Sequence, residues 1–189
     1  MVRGVAEISA ISSRLYFISA ISFGCNQVRA GVEYLEIEIT RDGYDLQQLI
    51  ISARRAGVRL IGSHHTGGAM PAMSELTDLL SKCALGGAAS AVKMTTTPSM
   101  SADVTLVGAA ARSLDLNVPC IALADGPMAK MSQLLNIHFT PVTHTDLANS
   151  AICGEFSAEE LINRRRELGY AISPHWTFYF ARGTFHICL

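Results

Sequence analysis

Charge of either sign is scarce in this chain. Asp, Glu, Lys and Arg make up 16% of its 189 residues and sum to a net charge of −1. The Lys and Arg are scattered, and without a basic stripe there is no electrostatic footprint for direct nucleic-acid contact. No apolar run is long enough to span a membrane, which argues against a membrane-embedded function. The opening Met1–Glu7 lacks the pattern of a signal peptide. Cysteine is present at Cys25, Cys83, Cys120, Cys153 and Cys188, an odd count with no CxxC spacing. That pattern fits reduced thiols in an intracellular protein of the cytoplasm or nucleus. Neither GxGxxG nor GxxxxGK[ST] occurs, so a nucleotide-binding fold has no support. No cofactor and no metal centre are expected, because the adjacent His64 and His65 would point opposite ways on a strand.

Hydrophobic residues account for 49% of the chain and mean hydropathy is +0.28, ample for one large core. Strands are predicted at 15–21, 33–39, 58–63, 118–124 and 139–142, with a short one from Ala88 that ends at Lys93. Amphipathic helices are predicted at 46–56, 71–85, 102–114 and 128–135. Ser157, with Glu160 three residues on, is a capping box that opens a last helix reaching about Leu168. Regular βα units of this spacing predict a parallel sheet covered by helices, doubly wound or closed into a barrel. Residues 1–169 are expected to form that domain, and the aromatic-rich 170–189 a tail or linker. The run Arg164–Arg166, set among acids, is expected to form a solvated helix face.

The stretch Ala88–Thr97 carries the chemistry. Small and β-branched residues lead to Lys93, which a buried strand would hold away from water. A buried ammonium must be paired or lose its proton, and a neutral lysine amine can attack a ketone. If the sheet is a barrel, function gathers at the C-terminal strand ends. Three successive ends there offer Glu38, His65 and Lys93. Glu33–Ile39 alternates acidic and apolar residues, which puts Glu36 on the face of Glu38.

Gly31–Thr40 (GVEYLEIEIT), Ile61–His65 (IGSHH), Val92–Met94 (VKM) and Phe139–His144 (FTPVTH) together resemble type I 3-dehydroquinase, in order and in spacing. The likeness is strongest to the dehydroquinase segment of the fungal pentafunctional arom protein. It implies a (β/α) barrel, truncated to about six βα units with the first two missing, since a full eight-fold barrel takes about 250 residues. It implies that Lys93 stands where a Schiff base forms with 3-dehydroquinate, His65 where a proton is moved, and Glu38 where the histidine is oriented. Ser63, Asp125, Gln133 and Glu155 fall at ligand-contacting positions.

Departures from the family pattern bear on activity. Thr66 replaces the aspartate that follows the histidine. Gln133 replaces an arginine that grips the substrate carboxylate, Asp125 an apolar methionine, and Glu155 a glutamine of the last loop. Glutamine only partly replaces a bidentate charge-assisted pair. Losing a desolvated charge partner costs on the order of 2–5 kcal/mol. The resemblance thus extends to the quinate-pathway repressor proteins of fungi. It implies a catalytically inactive domain that senses quinate or a dehydroquinate-like ligand, or binds the pathway activator or other domains of its own chain. The alternative is an active dehydroquinase. A dimer is expected, because a truncated sheet leaves edges to cover.

Overall fold

The computed structural model describes residues 15–18, 33–40, 43–136, 140–142, 156–170, 178–179 and 187–188. Five parallel strands form its centre: β1 (Leu15–Ile18), β2 (Tyr34–Glu38), β3 (Arg59–Thr66), β4 (Ala89–Thr96) and β5 (Cys120–Ala124), each hydrogen-bonded to the next in chain order. Sequential order with helical crossovers is what βα units produce. The crossovers are α1 (Gly43–Arg55), α2 (Met73–Cys83) and α3 (Ser101–Ser113), followed after β5 by α4 (Ala129–Leu135).

The helices cover one face of the sheet. Leu35 and Ile37 of β2 and Leu60 of β3 pack with Leu49, Ile50 and Ala53 of α1. Val92 and Met94 of β4 pack with Leu76 and Leu80 of α2 and Val107 of α3. Burial of each such large apolar side chain contributes about 1.5–3 kcal/mol. Approach is closest at Gly62, where an added Cβ would lie 1.9 Å from the Cys83 carbonyl oxygen. Only glycine lets the end of α2 sit that near β3.

The sixth strand differs from its expectation. β6 (Thr140–Pro141) is two residues long and pairs antiparallel with β8 (Ile187–Cys188), which in turn pairs with β7 (Phe178–Tyr179). Pro141 has no N–H to donate to a ladder, which limits that strand. The capping box is present at the start of α5 (Ala158–Glu167), with the Ser157 Oγ accepting from the Glu160 N–H at 3.2 Å and Glu160 Oε2 accepting from the Ser157 N–H at 2.9 Å.

The arginine run is not a uniformly solvated face. Arg164 and Arg166 are exposed, but Arg165 is 4% exposed. Its Nη2 donates to the Gln133 carbonyl (2.6 Å), the Asn136 carbonyl and Thr140 Oγ1 (3.2 Å). One arginine thus ties α5 to α4 and β6.

Candidate active site

Register brings the strand ends into line. Glu38 of β2 pairs with Ser63 of β3, and Ser63 pairs with Lys93 of β4. Paired residues of neighbouring strands share a face, so Glu36, Glu38, Ser63 and Lys93 lie on the side of the sheet away from the helices. His65 and Thr95, a matched pair two residues further, continue that face.

Two polar contacts form at these strand ends, although His64 itself pairs with Met94, a residue of the helix-packed face. Lys93 Nζ donates to both oxygens of Glu36, at 3.0 and 3.2 Å, and the Glu36 side chain is only 3% exposed. His64 Nδ1 meets Glu38 Oε1 at 2.7 Å, with the two side chains 13% and 19% exposed. An ionised carboxylate only accepts, so Nδ1 donates in that pair. Ser63, between these pairs, is buried, and its hydroxyl has no hydrogen-bond partner among the described residues.

Glu38 and Lys93 therefore share one register row, on either side of Ser63. The histidine held by Glu38, however, is His64, while His65 is exposed. Thr66 is buried. Asp125 is exposed and accepts from the Gly126 N–H at 2.7 Å, capping the short 3₁₀ turn that follows β5. Gln133 lies within α4 rather than on a rim. It is 1% exposed, and its Oε1 accepts from the Phe156 N–H at 2.9 Å. Glu155 lies outside the described residues.

Sequence reasoning placed Glu36 on the right face but assigned it no partner, and it passed over His64. The usable signal was Lys93 itself, because a lysine on a buried strand needs a carboxylate near by. Cys83 closes the site from the helix side, with its Sγ donating to the Lys93 carbonyl at 3.8 Å. Burial, followed by the charges of Glu38, Cys120 and Glu36, pushes its thiol up to about 12. It stays neutral and is not a nucleophile near pH 7. Among the described residues no group of three or more His, Cys, Asp and Glu is placed to hold a metal. No helix among them is long and apolar enough to cross a membrane. A cleft of about 300 Å³ lies elsewhere, between α3, β5 and α4, lined by Arg112, Ser132, Asn136 and Tyr170 among others. It holds no acid–base pair.

Strand-end chemistry on a parallel α/β sheet narrows the families, and comparison with known proteins decides among them. A family model for type I 3-dehydroquinase matches residues 7–169. The chain belongs to the type I 3-dehydroquinase family. It is 29% identical over 157 residues to a pentafunctional AROM polypeptide of Malassezia globosa, covering 80% of this chain and 9% of that protein. A second, from Komagataella phaffii, is 29% identical over 136 residues, covering 71% of this chain and 8% of that one. The chain thus spans under a tenth of the length of these curated relatives and is homologous to their dehydroquinase part.

Solved dehydroquinases share the fold. The Clostridium difficile type I 3-dehydroquinate dehydratase, crystallised with covalently modified comenic acid, superposes with a TM-score of 0.69 at 16% identity. That match covers 82% of this chain and 68% of the other. The dehydroquinate dehydratase and shikimate dehydrogenase part of S. pombe AroM gives a TM-score of 0.68 at 18% identity, over 85% of this chain and 33% of that one.

Proposed function

We propose that this dehydroquinase-family chain is catalytically silent and serves recognition within a quinate-pathway transcription repressor. The observation that carries this reading is the state of Gln133. It occupies the position that the family resemblance aligns with the carboxylate-gripping arginine, yet it is buried and holds a backbone N–H of residue 156. A neutral amide offers no charge-assisted bidentate grip on an anion, and its buried place on α4 turns its oxygen to the backbone. Asp125, exposed at the end of β5, adds a negative charge near the strand ends, which disfavours a carboxylated ring. At about 1.4 kcal/mol per factor of ten, loss of a clamp on the order of 2–5 kcal/mol removes much of the rate.

The retained strand-end face would then be a recognition surface for a pathway metabolite, with the activator protein or another domain of the same chain as the partner that reads it. The deciding experiment mixes the purified chain with 3-dehydroquinate and follows the enone absorbance of dehydroshikimate. No rise above the uncatalysed rate is expected. Turnover near an ordinary enzyme's rate overturns the proposal and supports the second reading, an active dehydroquinase. That reading has one observation in its favour, the alignment of Glu38, Ser63 and Lys93 across three adjacent strands.

A further inference from the structure

We propose that Glu36 is a positioning residue that locks Lys93 as its ammonium, through the two-oxygen contact the pair makes across the end of the sheet. This deepens the reading of the site as silent and rests on it. A lysine attacks a carbonyl carbon only through the lone pair of the neutral amine. Here the nitrogen faces both oxygens of one carboxylate at 3.0 and 3.2 Å. The Glu36 side chain is 3% exposed and that of Lys93 17%, so little water competes for either partner. Glu38, the other carboxylate on the strand, is engaged by His64 instead. Among the described residues, the titratable groups on or beside the elements next to Lys93 are Glu36 and Glu38 on β2, His64 and His65 on β3, Asp125 beyond β5 and Cys83 at the end of α2. Glu36 forms an ion pair with the lysine nitrogen at 3.0 Å.

Removing the carboxylate should release the amine. Its lone pair then adds to a ketone carbon, the carbonyl oxygen leaves as water, and a carbon–nitrogen double bond remains. Cyanoborohydride supplies the hydride that reduces that imine to a stable secondary amine, with a proton taken from solvent. The sequence makes the measurement clean, because Lys82, Lys93 and Lys130 are its only lysines.

The test uses hydroxyacetone, an uncharged ketone that needs no anion clamp, with cyanoborohydride across a pH series. Labelling at each lysine is read by peptide mass spectrometry, with Lys82 and Lys130 as internal references. In Glu36→Gln the pH at which Lys93 labels half-maximally should fall relative to the parent chain, with the references unmoved. An unshifted Lys93 profile overturns the lock. Should Glu36→Gln not fold, Glu36→Asp decides. Its carboxylate is withdrawn by one methylene, so a smaller acid shift is expected and an unshifted profile again overturns the proposal. A purely structural role for Glu36 would alter the melting temperature and leave the profile where it was. Failure here is distinct from failure of the functional reading, which turnover of 3-dehydroquinate by the parent chain alone would decide.

Discussion

If the chain is catalytically silent for want of an arginine at position 133, Gln133→Arg is the obvious variant to make, and the structure predicts that it damages the fold instead. Gln133 is 1% exposed on α4, and its side-chain oxygen accepts the Phe156 N–H. Gln133→Arg removes that acceptor, leaving a buried donor unpaired at about 1–3 kcal/mol. It also places a guanidinium where Arg165 already donates to the Gln133 carbonyl. An uncompensated buried charge costs about 3–5 kcal/mol. Together these reach about 4–8 kcal/mol, a large fraction of a typical domain's whole stability. For a chain of this size each kcal/mol moves the midpoint by about 2–4 °C, so the melting temperature should fall by at least about 8 °C. Far-UV circular dichroism melts of parent and variant measure this directly, and calorimetry with quinate reports any gain in carboxylate binding. If Gln133→Arg melts within about 2 °C of the parent and binds quinate more tightly, position 133 reaches a functioning pocket and the argument from burial fails.

Three further outcomes follow from the same contacts. Gly62→Ala drives a Cβ to within 1.9 Å of the Cys83 carbonyl oxygen, a backbone atom that cannot swing away. It should cost about 3 kcal/mol or more in a denaturant titration. Burial pushes the Cys83 and Cys120 thiols from 9.0 up to about 12. A raised folded value means stability is intact below pH 9 and is lost as pH rises from there toward 12, at about 1.4 kcal/mol per pH unit per thiol. Denaturant midpoints measured across that range should show the loss, and Cys120→Ala should roughly halve its slope. Ser157→Ala removes the hydroxyl that caps α5 and should cost about 1 kcal/mol by thermal melt. Glu160, held below its ordinary 4.5 first by the Ser157 backbone N–H, should keep most of its acid-side loss of stability in that variant.

The layout of this molecule was legible because it rests on two periods. Alternation over Glu33–Ile39 and helical spacing over Ala102–Leu114 set β2 and α3 to within a residue or two of where they lie. α1 begins at Gly43 rather than Leu46, because Gly43, Tyr44 and Asp45 carry no apolar stripe to announce a first turn. Arg165 was misjudged for a reason the helix itself contains. Successive residues turn by about 100°, so three arginines in a row cannot share a solvated face. Arg165 follows Leu161 by four positions and goes inward with it.

The candidate site marks where pattern stops. Period two puts Glu36, Glu38, Ser63 and Lys93 on one face, and that much is written in the strands. Which carboxylate takes the lysine and which the histidine depends on side-chain reach and on the stagger between strands. A residue's period carries neither quantity. Motif order favoured His65 as the partner of Glu38, but a neighbour one residue away holds that carboxylate at 2.7 Å. With Glu38 so engaged, the ion pair to Lys93 falls to Glu36, the more deeply buried acid. The two contacts divide the acids of β2 between the imidazole of His64 and the amine of Lys93.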